Sequence, residues 1–211
     1  MRKVTLITIL GLSMSAFGQT PIAPTTVPYN DVTHKNKTAA ITTKSGLVLE
    51  GKVNYNEYGD GDIHFFQEGK DPIHFETVDT LVSMAIAGRG VFEAVSVNNS
   101  EYKTMALVLE DTDGYKIYQK CSAGQGLLGY KISGGNLQGE YLLYLYHKRK
   151  NVMYAKKDVK KIEKTIGEYI DYCDEITEKV AKKEKGYKAN LMKPDFDVLK
   201  KAILESETTC P

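Results

Sequence analysis

The sequence predicts an α+β protein, mainly β: an antiparallel curved sheet or partly closed barrel packed by two C-terminal helices. Three observations carry this. Short runs rich in β-branched and aromatic residues, parted by glycine- and aspartate-containing turns, recur from Thr38 to Ala155. No segment of helical period interrupts them at length, which favours antiparallel neighbours over parallel strands joined by crossovers. At Asp158 the apolar spacing changes to alternate threes and fours, the stripe of an α-helix.

Taken in order, the chain opens with a segment of another kind. Arg2 and Lys3 precede an apolar run from Val4 to Leu12 that continues through Met14 and Ala16 to Phe17. Charge followed by an apolar stretch is the pattern of a secretory signal, and the small residues Ala16 and Gly18 place the cut before Gln19. Residues 1–18 are therefore expected to be removed on export. The competing reading, a membrane anchor, needs about 20 apolar residues, more than this run supplies. No cysteine follows the cut, which argues against lipid attachment there, and no later stretch is apolar enough to span a bilayer. The mature chain is expected to act in the periplasm or outside the cell.

Residues 19–37 carry Pro21, Pro24 and Pro28 among Thr and Asn, and read as a flexible leader. The β domain follows over 38–155. Its expected strands are Thr38–Thr43, Leu47–Tyr55, Ile63–Phe66, Ile73–Phe75, Val91–Val97, Tyr102–Glu110, Tyr115–Cys121, Leu127–Ile132, Tyr141–Tyr146 and Val152–Ala155. The segment from Val78 to Ala87 fits strand or helix. Asp111-Thr112-Asp113-Gly114 is a hairpin signal, because a terminal glycine closes turns that strain other residues. Gly46 and Gly51 around short strands leave a small SH3-like barrel as the second architecture for the first part.

The helical pair occupies 156–211. Val159, Ile162, Ile166, Tyr169, Cys173, Ile176 and Val180 form the first stripe, with Asp158 as N-cap and Gly186 as stop. Pro194 and Asp195 open the second helix, whose stripe is Phe196, Leu199 and Ile203. Stripes of this kind pack a core and name no cofactor.

Composition narrows the partners. Basic and acidic residues number 28 and 27, so no broad field draws nucleic acid or an anionic membrane. The lysines from Lys148 to Lys188 are interleaved with glutamates, the texture of solvated helix faces. Fourteen tyrosines and no tryptophan suit half-buried strands and name no ligand.

Three cysteines allow one disulfide and leave one thiol over. Cys173 lies on the inward stripe of the first helix and Cys210 on the extension of the second; antiparallel helices bring the two sulfurs to similar heights, so Cys173 and Cys210 are the expected pair. Cys121 is then a buried strand residue, packing as a small hydrophobe.

The candidate site lies in the local repeat Asp62-Ile63-His64-Phe65 and Pro72-Ile73-His74-Phe75. A hairpin centred on Gly69 would set His64 opposite His74, Ile63 opposite Phe75 and Phe65 opposite Ile73. One face would be apolar; the other would collect Asp62, His64, His74 and Glu76, ligand types that zinc accepts. Half-exposed strands also carry His and acids simply on their wet side. The segment from Asn56 to Asp62, with Asp60-Gly61-Asp62, offers oxygens to calcium but lacks the order of an EF-hand loop, and reads as a turn. Gly124-Gln125-Gly126 and Gly134-Gly135 do not lead from a strand into a helix and read as connections, not phosphate cradles. No catalytic residue is assigned and no cofactor is implied beyond that zinc or calcium.

In order and texture the chain resembles a loose group of small exported proteins frequent in the Bacteroidota, mostly of unknown function. The likeness rests on the signal ending near Gln19-Thr20, on Thr43-Lys44-Ser45-Gly46 and Glu50-Gly51-Lys52-Val53, on the tyrosine-rich β region, and on Tyr172-Cys173-Asp174 with the last Cys210. It implies the cell envelope as the place of action and no particular activity. The function expected is a non-catalytic envelope protein binding a protein partner or a small ligand in a sheet concavity. The alternatives are a metal-dependent enzyme using the His/carboxylate cluster and a purely structural envelope protein.

Overall fold

The computed structural model describes residues 26–28, 32–58, 62–97, 102–123, 131–133, 136–155, 170–188 and 196–211. The expected signal and cleavage site, the two glycine-rich connections at 124–126 and 134–135, Asp60, the stripe residues Val159 to Tyr169 and the Pro194-Asp195 helix start lie outside them. Within them the chain is mainly an antiparallel sheet with two C-terminal helices.

The strands are β1 Thr26–Pro28, β2 Thr33–Thr43, β3 Val48–Asn56, β4 Ile63–Phe66, β5 Ile73–Phe75, β6 Leu81–Ile86, β7 Gly90–Ser96, β8 Lys103–Asp111, β9 Tyr115–Ala123, β10 Lys131–Ser133, β11 Asn136–His147 and β12 Val152–Ala155. Their order across the sheet is β1-β11-β9-β8-β7-β6-β2-β3-β4-β5, with β10 and β12 also on β11. Neighbours in sequence mostly pair as hairpins; the exceptions are β1–β11, β2–β6 and β9–β11, where strands not consecutive in the chain meet. The first strands join this one sheet instead of forming a separate small barrel. The segment that fitted strand or helix is β6. The leader does not extend to Lys37: Thr26–Pro28 pairs with β11, and β2 begins at Thr33. The reason is tertiary, since Thr33 and His34 pair with Asn56 and Tyr55 although Asn36 has a positive φ that interrupts the ladder.

Alternation sorts side chains to two faces. On the inner face, Ile41, Val53, Ile63, Phe65, Met84, Phe92 and Leu107 form one core. Tyr115, Ile117, Leu145 and Tyr154 form a second with the helices, and Leu109 touches both. The outer face carries Val97, Ala106, Tyr118, Tyr144 and Ala155.

The helices are α1 Asp174–Ala181 and α2 Asp197–Thr209. Ile176, Val180, Leu199 and Ile203 are buried against the sheet, each side chain contributing about 1.5–3 kcal/mol by its removal from water. The first helix departs from its expected course. Ile170 to Cys173 form a bend, Cys173 is the N-cap of α1, and the helix ends at Ala181 with Lys183 at positive φ, ahead of Gly186. Tertiary contacts explain the bend. Tyr172 bonds Ser206 (2.7 Å) and Glu207 (3.0 Å) beneath the Arg149 guanidinium, and Thr177 Oγ1 donates to the Ile170 carbonyl (3.1 Å). Cys173 and Cys210 are disulfide-bonded, with Cα atoms 5.6 Å apart.

Candidate functional site

Three polar constellations stand out among the described residues. The first is the predicted one. β4 and β5 pair with His64 opposite His74, Ile63 opposite Phe75 and Phe65 opposite Ile73. Gly69, at φ +70°, lies in the connection, where a backbone of that hand suits a residue without a side chain. Ile63 and Phe65 are fully buried, so their alternation fixes His64 outward. The two imidazoles stack with centroids 4.3 Å apart and planes 5° from parallel. Asp62 Oδ1 lies 2.6 Å from His74 Nε2 and 3.1 Å from His64 Nε2. Glu76, exposed just past β5, is not part of this group of converging ligand atoms.

The second constellation was not foreseen. Glu57, only 3% exposed, follows β3 and reaches across the curl of the sheet. Its Oε1 pairs with His34 Nε2 (2.7 Å) and accepts from Arg89 Nε (2.7 Å); its Oε2 accepts from Arg89 Nη2 (3.0 Å) and from the Cys121 thiol (3.5 Å). Burial would raise the Glu57 pKa, but the hydrogen bonds from His34 and Arg89 and the Arg89 charge outweigh it and hold the carboxyl below its ordinary value. Burial and the neighbouring carboxylate push the Cys121 thiol far up, so it stays protonated and unreactive. Tyr141, opposite Cys121 on β11, is likewise pushed up by burial.

The third lies on the outer face. A groove of about 530 Å³ is lined by β7, β8, β9, β11 and β12, with Glu93, Lys103, Lys116, Tyr118, Tyr146 and Asn151 as its polar groups and Val95, Val152 and Met153 among the apolar ones. Glu93 accepts from Lys116 Nζ (2.7 Å) and from the Tyr118 hydroxyl (2.6 Å), one on each carboxylate oxygen. Lys116 also reaches Asp111 (3.1 Å), which pairs with Lys148 (2.7 Å). Burial opposes ionisation of Asp111, yet bonds from Lys148 and Lys116 hold its pKa below normal. Burial and the Glu93 bond push Tyr118 up, so it remains a hydroxyl donor. Lys103 has no ionic partner among the described residues. Tyr146 donates to Asn151 Oδ1 at 2.8 Å across the β11–β12 turn.

Comparison with protein-family models, curated proteins and solved structures finds no significant match. The geometry therefore stands by itself. No helix among the described residues is long and apolar enough to cross a membrane.

The sequence reading missed the second and third constellations because their members lie far apart in the chain: 23, 32 and 64 residues separate Glu57 from His34, Arg89 and Cys121. One local signal was present. Arg89 is among the few arginines of a lysine-rich chain and sits between two glycines in the β6–β7 turn. Arginine at such a place suits a planar, two-pronged pairing with a carboxylate that lysine cannot make.

Proposed function

We propose that this chain is an exported, non-catalytic binding protein of the cell envelope, and that the outer-face groove is where it holds its ligand. The groove is the observation that carries the reading. Its volume falls in the range of ligand sites, and its lining combines apolar side chains with a few polar groups already fixed in place. Glu93 and Lys116 are held by each other and by Tyr118 and Asp111, so the wall they form is set before a ligand arrives. Both Glu93 oxygens are occupied by donors, an arrangement suited to orienting a wall more than to moving protons.

The ligand that fits is a small molecule or a peptide segment of an envelope partner with an acidic group for Lys103 and an apolar portion for Val95, Val152 and Met153. Export is supported by the N-terminal pattern of charge and apolar residues and by the Cys173–Cys210 disulfide, which persists in an oxidising compartment.

The test uses the mature chain recovered from the envelope of its source cells and examined by native mass spectrometry, beside a Val152→Trp variant. Val152 is 39% exposed, so the larger ring fills the groove without entering the core. A stoichiometric ligand or partner on the native chain that is absent from the variant is the expected result. The same occupant on both, or none on either, overturns the reading.

A further inference from the structure

We propose that Asp62, His64 and His74 form a binding site for a divalent transition metal, zinc being the best fit, at the β4–β5 end of the sheet. This goes beyond the groove and stands independently of it. One carboxylate oxygen and two imidazole nitrogens lie within 4.8 Å of one another. Zinc holds such ligands at roughly 2.0–2.2 Å, so neighbouring donors around one tetrahedral ion are roughly 3.3 Å apart. The two oxygen–nitrogen separations here are 2.6 and 3.1 Å. Reaching that geometry takes a shift of tenths of an ångström at the Asp62 oxygen and a rotation of the two imidazoles out of their parallel stack, so that each ring plane contains the ion. The histidine side chains are 46% and 45% exposed and Asp62 70%, which leaves room for that rotation.

The backbone does the positioning. Cross-strand pairing sets the two histidines side by side, and the buried Ile63 and Phe65 hold both rings on the outer side of the hairpin. The Nε2 atoms of both histidines lie within 3.1 Å of one Asp62 oxygen. As a hydrogen-bonded group the arrangement has two imidazoles sharing one oxygen. As a chelate every donor has its own bond to the ion, and the fourth position is left open to water or to an external donor.

Donor chemistry selects the metal. Imidazole nitrogen suits zinc, copper and nickel, whereas calcium demands six to eight oxygens and magnesium an octahedral oxygen set. The calcium considered for the Asn56 to Asp62 segment is disfavoured on the same ground, because Asp62 turns to the histidines.

The experiment titrates Zn²⁺ into the metal-stripped mature chain against a chromophoric chelator, with Ca²⁺ run in parallel. One equivalent of zinc should bind, with no competition from calcium. His64→Ala and His74→Ala should each weaken binding at least tenfold, the double variant should abolish it, and Glu76→Gln should leave it intact. Proton NMR supplies a measurement that needs no variant: zinc should move the ring signals of His64 and His74 and leave those of the buried His34 and His147 in place. Absence of binding by the native chain, binding retained in the double variant, or shifts confined to His34 and His147 would each overturn the proposal.

Discussion

Replacing Arg89 with Met tests what holds the curl of the sheet. The guanidinium makes two bonds to Glu57, and it is 26% exposed while its partner is 3% exposed. Removing one member of a buried pair costs about 3–5 kcal/mol, because the other charge stays behind without compensation. Arg89 is itself partly solvated, and His34 and Cys121 still contact the carboxylate, so the low end applies: about 3 kcal/mol. For a chain of this size that lowers Tm by about 6–12 °C. The deficit should also depend on pH. Glu57 titrates below its ordinary value in the folded protein, so its contribution is fully present above the unfolded carboxyl pKa and is lost as pH falls through the folded one. In the variant, burial acts with less opposition and the carboxyl takes up its proton at higher pH. The gap between the two proteins should therefore be widest near neutrality and shrink below about pH 5. A Glu57→Gln/Arg89→Met double variant should be more stable than Arg89→Met alone at neutral pH. Urea denaturation at several pH values measures all three. A deficit under about 1 kcal/mol, or one equal at pH 4 and pH 7, refutes the argument that an uncompensated buried carboxylate is the cause.

Two further substitutions probe the frame. Cys173 and Cys210 lie 37 residues apart, and closing a loop of that length stabilises the fold by about 4 kcal/mol in the chain-entropy model; Cys173→Ser/Cys210→Ser should lower the urea stability by nearly that, and a loss under about 1 kcal/mol would show that the bond constrains little. Gly51→Ala should cost about 1–3 kcal/mol by overpacking, since a Cβ there would stand 2.2 Å from the Phe66 carbonyl oxygen and 2.9 Å from the Phe65 ring; an unchanged thermal midpoint would mean that β3 and β4 can separate freely.

What was legible in the sequence was whatever depends on near neighbours. The repeat around His64 and His74 specified its own register, because a slip by one residue would turn Ile63 and Phe65 to water. The final helix announced itself through Phe196, Leu199 and Ile203, all buried. The break at Ile170–Cys173 was not legible, since periodicity runs straight through it. Tyr172 leaves the helical course for contacts with residues of β11 and α2, and tertiary partners override spacing there. The start of β2 was hidden for a related reason: Lys35, Asn36 and Lys37 read as a polar leader, yet pairing with β3 and the burial of His34 recruit them to the sheet. The Glu57 constellation was illegible because its members meet only once the sheet has curled.

An open sheet must hold its curl and also protect its ends, and the polar groups divide between these tasks. Glu57 stands after β3 and Cys121 within β9, with β2, β6, β7 and β8 between them in strand order, so their contact exists only if the intervening strands bend. A purely apolar contact would tolerate sliding, whereas the bidentate pairing with Arg89 is satisfied in one geometry and is costly in others. At the far end, β5 is only three residues long and sets His74 outward, a poor template for adding another strand. The same exposure gives an ion access to the stacked imidazoles without opening the core. Zinc binding there should consequently be read from the histidines themselves, because the site touches the buried interior only through Ile63 and Phe65 on the opposite face.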